Sequence, residues 1–227
     1  ASLRERLALR RTECEHLVQN ELDQANVHFT LLAVALFDVV EGVLGSERAA
    51  RLVDDCLNQP LRDEVIRGTR AMLDDAQDPF RAVVDASKHR EREYFGPSFE
   101  FERLIDDEHG YVLRIRRCLF HEVLLACGRS ELQPLLCRFD MNWSDAIDAR
   151  RHHMSFVRPC TFATSSRCQM WFMRTDGDVA SRLVVEAFEP LSALTHVEPG
   201  DVEAAIAAAQ VRVSALAAEF TTAPGST

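Results

Sequence analysis

The chain has 227 residues, 47% of them hydrophobic and 27% charged, the make-up of a globular protein and not of a disordered one. Its 26 Lys+Arg against 36 Asp+Glu leave a formal net charge of −10, which argues against a binder of the nucleic-acid backbone, since that affinity comes from basic clusters. The most apolar run, residues 31–37, stops at Asp38, far short of the roughly 20 residues a membrane span needs.

The first 95 or so residues read as helices. Residues 2–19 are a charged, weakly amphipathic run with no basic-then-apolar pattern of a signal peptide. In 25–44, Leu32, Ala35, Leu36, Val39, Val40 and Val43 recur at three and four, giving one apolar stripe. That stripe must be covered by the rest of the chain or by a second copy, which makes the N-terminal helices the expected seat of a homo-oligomer. Gly45 supplies a stop and Ser46 an N-cap for a helix over 47–57. Pro60 opens the next, to about residue 76, and Asp78-Pro79 a further one, to about Tyr94.

The period then changes from helical to two. Phe99, Phe101, Arg103 and Ile105 alternate with their neighbours, as do Tyr111, Leu113 and Ile115 after the turn at 106–110, so a β-hairpin is expected. Residues 118–127 are helical up to Gly128, and Ser130-Glu-Leu-Gln133 reads as a capping box for a second helix, which Asn142-Trp-Ser144 breaks. A second strand pair follows at about 153–162 and 167–174. Residues 177–199 show no clear period, 201–220 form an alanine-rich helix, and 221–227 a disordered tail. The expected class is α+β: N-terminal helices, a small antiparallel sheet in the order ββ-α-α-ββ, and a C-terminal helix. The expected division is a helical region 1–95, an α+β region 96–220 packed with it, and the tail.

Cysteines occur at 14, 56, 118, 127, 137, 160 and 168. An odd number in a chain able to build a core does not read as a secreted disulfide framework, and a cytoplasmic location is the expectation. Cys118 stands at a strand-to-helix junction with His121 three residues on; an imidazole and a helix start both favour a thiolate. Cys137 and Asp140 repeat the spacing on the flank of an apolar face, where a carboxylate seeks a cation such as Arg138 or Arg158. Arg158, Cys160, Thr161 and Cys168 share the second strand pair, and an arginine pointing inward from a strand usually meets a carboxylate. Adjacent His152-His153 at a strand start point to opposite faces, so they make poor joint ligands. The cysteines with His121 could instead hold zinc, but their spacing matches no standard zinc motif. No metal or cofactor is assigned.

Arg117-Cys118, Cys137-Arg-Phe-Asp140, Phe156-Val-Arg158-Pro-Cys-Thr161-Phe-Ala and Cys168-Gln-Met-Trp-Phe172 occur in that order. Together they resemble the L-2-amino-thiazoline-4-carboxylic acid hydrolase family over about residues 110–174. Thr164-Ser-Ser-Arg167 stands where the family usually has a glycine. The resemblance implies a hydrolase that opens a C–N bond in a small cyclic amidine, imine or lactam-like carboxylic acid. Cys118, Cys137, Asp140 and His121 would then be the catalytic group, and Arg158, Thr161 and Cys168 the substrate-binding group. Cys118 is slightly preferred as nucleophile for its place at a helix start. The competing readings are a non-catalytic small-ligand or zinc-binding module, a ring-forming or ring-opening relative, and an accessory protein whose N-terminal helices bind a partner.

Overall fold

The computed structural model describes residues 2–175; the expected helix over 201–220, the segment 177–199 and the tail lie outside them. In chain order come α1 (Leu3–Cys14), α2 (Glu21–Leu44), α3 (Ser46–Asn58), α4 (Arg62–Asp75), α5 (Pro79–Glu93), β1 (Glu100–Asp106) and β2 (Gly110–Arg117). Then follow α6 (Leu119–Ala126), α7 (Gln133–Phe139), α8 (Ala149–His152), β3 (Met154–Cys160) and β4 (Cys168–Arg174). The fold is α+β, with one four-stranded antiparallel sheet. Among the described residues there are two compact units: residues 2–102 with Ile115–Ala146, and Arg103–Arg114 with residues 147–175.

In the first unit α2 is the central rod. Asn20 caps its start, its side chain accepting from the Asp23 N–H at 2.9 Å. Its end falls at Gly45, whose φ of 76° few side chains tolerate. By length and composition α2 would pass as a membrane span, yet Val27, Leu31, Val34 and Phe37 are buried among α1, α3 and α6. The buried face is rotated from the expected stripe, and Leu32 and Val43 lie outward, at 39% and 85% exposure. Neighbours on several sides, plus one polar position, explain the rotation. Asp38, its side chain 3% exposed, sits between Arg10 at 2.8 Å and Arg129 at 2.7 Å. A carboxylate this deep persists because both cations reach it.

A second buried acid locks the start of α2. Asp23, fully buried, accepts from the Gln19 N–H at 3.1 Å and from the Ser98 hydroxyl at 2.9 Å. Pro60 differs from expectation: α4 begins two residues later, with Leu61 as its unaided cap. The capping box at Ser130 does not form either. Residues Ser130–Leu132 make a 3-10 turn and α7 starts at Gln133 without a side-chain cap.

The sheet runs in the order β1-β2-β4-β3. In the second unit β3 is an edge strand paired antiparallel with β4, from Met154↔Arg174 to Val157↔Trp171, and the register slips before Cys160↔Gln169. The slip is a bulge at Arg158-Pro159, and an edge bulge is where a strand tolerates a proline. Phe172 is the hub of this unit's aromatic packing, 5.8 Å from Tyr111 and 4.8 Å from Phe156 between ring centres. His152 is buried, whereas His153 is exposed at the entry to the edge strand β3. His152 ends α8, is 2% exposed and accepts from the Asp148 N–H at 3.0 Å; His153 takes a left-handed φ of 49° that turns the chain into β3.

Candidate active site

Each unit carries one group of the sequence-predicted residues. In the first, β2 hands over to α6 at Cys118, whose backbone is still extended (φ −123°, ψ 113°) and whose carbonyl accepts the first helical bond, from Glu122 at 3.1 Å. The junction is braced by Arg117, which grips Glu122 with two parallel bonds of 2.6 and 2.7 Å. Cys118 is half-buried there, packed against the core.

His121, in the first turn of α6, has Nδ1 2.9 Å from Gln133 Oε1. The other end of that amide, Nε2, donates to Cys137 Sγ at 3.3 Å. Gln133 is 2% exposed, so the amide is held between imidazole and sulfur. With Nε2 aimed at sulfur, Oε1 accepts from His121 Nδ1–H. An N–H directed at a sulfur fixes where that sulfur sits. Cys137 has this donor.

Asp140 closes α7 and is 8% exposed. Of the cations expected for Asp140, Arg138 pairs with Asp54. Arg90 of α5 reaches Asp140 instead, Nη2 to Oδ1 at 2.9 Å. The Arg90 guanidinium also lies 5.7 Å from the Tyr94 ring and 5.5 Å from the Phe95 ring, which fixes its plane. Trp143 Nε1 donates to the Asp140 carbonyl at 2.7 Å and tightens the same corner.

The second unit holds Arg158, Thr161 and Cys168. Arg158 Nε donates to Cys168 Sγ at 3.2 Å across the bulge. Thr161 builds the connection that lacks glycine: its carbonyl accepts from the Thr164 and Ser165 N–H groups at 2.9 and 2.8 Å, and its hydroxyl from the Ala163 N–H at 3.1 Å. Burial pushes the Cys160 thiol up from its ordinary value, although Arg167 and Arg158 pull the other way.

Sequence reasoning missed Arg90 and Gln133. Gln133 stood in the motif taken for a capping box, and Arg90 on a helix whose partner lies fifty residues away. Burial of Asp140 was a usable signal that a cation must come, but spacing along the chain does not say from where. Among the described residues no cluster of three His, Cys, Asp or Glu side chains is placed to hold a metal ion.

The family model described as L-2-amino-thiazoline-4-carboxylic acid hydrolase matches residues 25–172, a stretch that includes every residue of the candidate site. No curated protein and no solved structure matches the chain.

Proposed function

Because the chain belongs to the L-2-amino-thiazoline-4-carboxylic acid hydrolase family, whose name is that of a hydrolase, we propose that it opens the ring of a small cyclic amidine carboxylate with Cys137 as nucleophile. The observation that carries this reading is the Gln133 amide donating to the Cys137 sulfur at 3.3 Å while His121 holds its other end. Cys118, favoured from sequence for its helix-start position, then contributes to the wall and not to the bond-making step.

The chemistry balances without an added reagent. The Cys137 sulfur bonds to the amidine carbon, the thiol proton goes to the ring nitrogen, and the exocyclic amine gives up a second proton to that nitrogen as the ring C–N bond breaks. Water then adds to the carbon held on sulfur, and collapse of the adduct expels the Cys137 thiol and leaves a carbamoyl group. The net change is one water gained. Gln133 and His121 are positioning residues in this scheme. Asp140 accepts from the exocyclic amine, and the Arg90 fork takes the substrate carboxylate.

The test is incubation with 2-amino-thiazoline-4-carboxylate, read by mass spectrometry. A protein-dependent product heavier by one water, absent with Cys137→Ser and retained with Cys118→Ser, supports the reading. The product should carry a new primary amine and no new thiol, because the C–S bond survives. A released thiol overturns the C–N assignment, full activity of Cys137→Ser overturns the nucleophile, and no product overturns the substrate class.

A further inference from the structure

We propose that Cys14 and Cys127 form a redox-closable thiol pair, which a small peroxide oxidises to a disulfide joining the end of α1 to the end of α6. The two lie 113 residues apart in sequence, yet their sulfurs are 3.8 Å apart. A disulfide needs about 2.05 Å, so an approach of a little under 2 Å completes the bond. Both residues are buried, Cys14 fully and Cys127 at 5% exposure, and both belong to the first unit's core. Neither takes part in the reaction proposed above.

The surroundings suit oxidation. Cys14 forms part of the wall of a cavity of about 400 Å³, whose lining also includes the exposed residues Arg11, Glu15, Gln24 and His28. Cys14 is fully buried behind that wall, so a peroxide gathered in the cavity reaches its sulfur as the wall opens. Arg10 donates to the Cys127 carbonyl at 3.1 Å, which places a fixed cation beside the pair and holds α1 against the end of α6. The two thiols are unequal. The contact with Cys127 draws the Cys14 pKa below its ordinary value, and the same contact together with burial pushes the Cys127 thiol up. Cys14 is therefore the attacking sulfur and Cys127 the resolving one.

The steps balance. Cys14 thiolate displaces hydroxide from the peroxide, becoming a sulfenic acid; Cys127 then attacks the Cys14 sulfur, and its proton leaves with the hydroxyl as water. Two thiols and one hydrogen peroxide give one disulfide and two waters.

The test uses the reduced full chain and stoichiometric hydrogen peroxide, followed by a thiol block and a non-reducing digest. The expected result is a mass lower by about 2 Da before blocking and a cross-linked peptide joining Cys14 to Cys127, reversed by dithiothreitol. Cys127→Ser should stop at a sulfenic acid on Cys14, captured by dimedone, and Cys14→Ser should leave Cys127 unoxidised. If either variant fails to fold, the wild-type cross-link map decides alone. Intact thiols after treatment, over-oxidised Cys14 without the cross-link, or a cross-link between other cysteines would each overturn the proposal.

Discussion

Arg90 and Asp140, fifty residues apart, meet through Nη2 and Oδ1 at 2.9 Å, so α5 holds the carboxylate that closes α7. The cation is one-third exposed and the acid 8% exposed. Removing the cation therefore harms more than removing the charge of the acid. Arg90→Ala should lower stability by about 1–3 kcal/mol, because Asp140 loses this partner at a desolvated position. Asp140→Asn keeps an acceptor for Arg90 and should unfold within about 1 kcal/mol of wild type while turnover falls about 100-fold or more. Denaturant melts beside rate measurements separate the two; equal stability losses would show that the pair is not buried as described.

Gln133 gives a second split. Gln133→Leu retains size and removes both hydrogen bonds, to His121 at 2.9 Å and to Cys137 at 3.3 Å. One hydrogen bond to the reacting sulfur corresponds to about a threefold to tenfold drop in kcat. The thiol should also react at a different rate with iodoacetamide at neutral pH, because the amide no longer holds the sulfur. An unchanged alkylation rate would mean that the amide does not act on the sulfur.

The same substitution at two glycines should have opposite signs. A Cβ on Gly96 would stand 1.9 Å from Asp23 Oδ1 and 2.8 Å from the Asp23 backbone nitrogen. The acid could swing away only by leaving Ser98, and the backbone nitrogen cannot move. Gly96→Ala should therefore cost about 2–3 kcal/mol. Gly68 lies inside α4 with nothing within 4 Å of its would-be Cβ, so Gly68→Ala should stabilise by up to about 1 kcal/mol. Thermal melts of the two variants against wild type check both signs at once.

Cys160 makes stability depend on alkaline pH. Burial holds its folded pKa above the ordinary 9.0, so the unfolded chain loses this proton first. The stabilisation is complete below about 9, and it is lost as the pH rises towards the folded value. Urea midpoints should fall more steeply from pH 8 to pH 10 in wild type than in Cys160→Ala, which is weaker at every pH but flatter. Parallel curves would remove Cys160 as the cause.

Local signals sufficed wherever neighbours along the chain supply the physics. The switch from a period of 3.6 to a period of two located the first hairpin within a residue or so, and Gly45 and Asp78-Pro79 marked helix ends because backbone geometry there depends on those residues alone. The order of the short motifs around Cys118, Cys137, Arg158 and Cys168 carried the family, and the family model agrees over residues 25–172. Failures came where a neighbour remote in sequence decides. Asp38 looked like the end of an apolar run, yet Arg10 and Arg129 draw it inward. His152-His153 read as a strand start until the Asp148 cap made a turn of helix there.

The candidate site divides along the same line. Residue type and spacing along the chain placed Cys118, His121, Cys137 and Asp140 on α6 and α7 or at their ends, because helix geometry is local and repeats every few residues. Which sulfur receives a hydrogen bond, which cation meets Asp140 and which two thiols approach within 3.8 Å depend on how separate helices pack. Side-chain interlocking across the core sets that packing, and it selects Gln133, Arg90 and the Cys14–Cys127 pair from many residues of the same types.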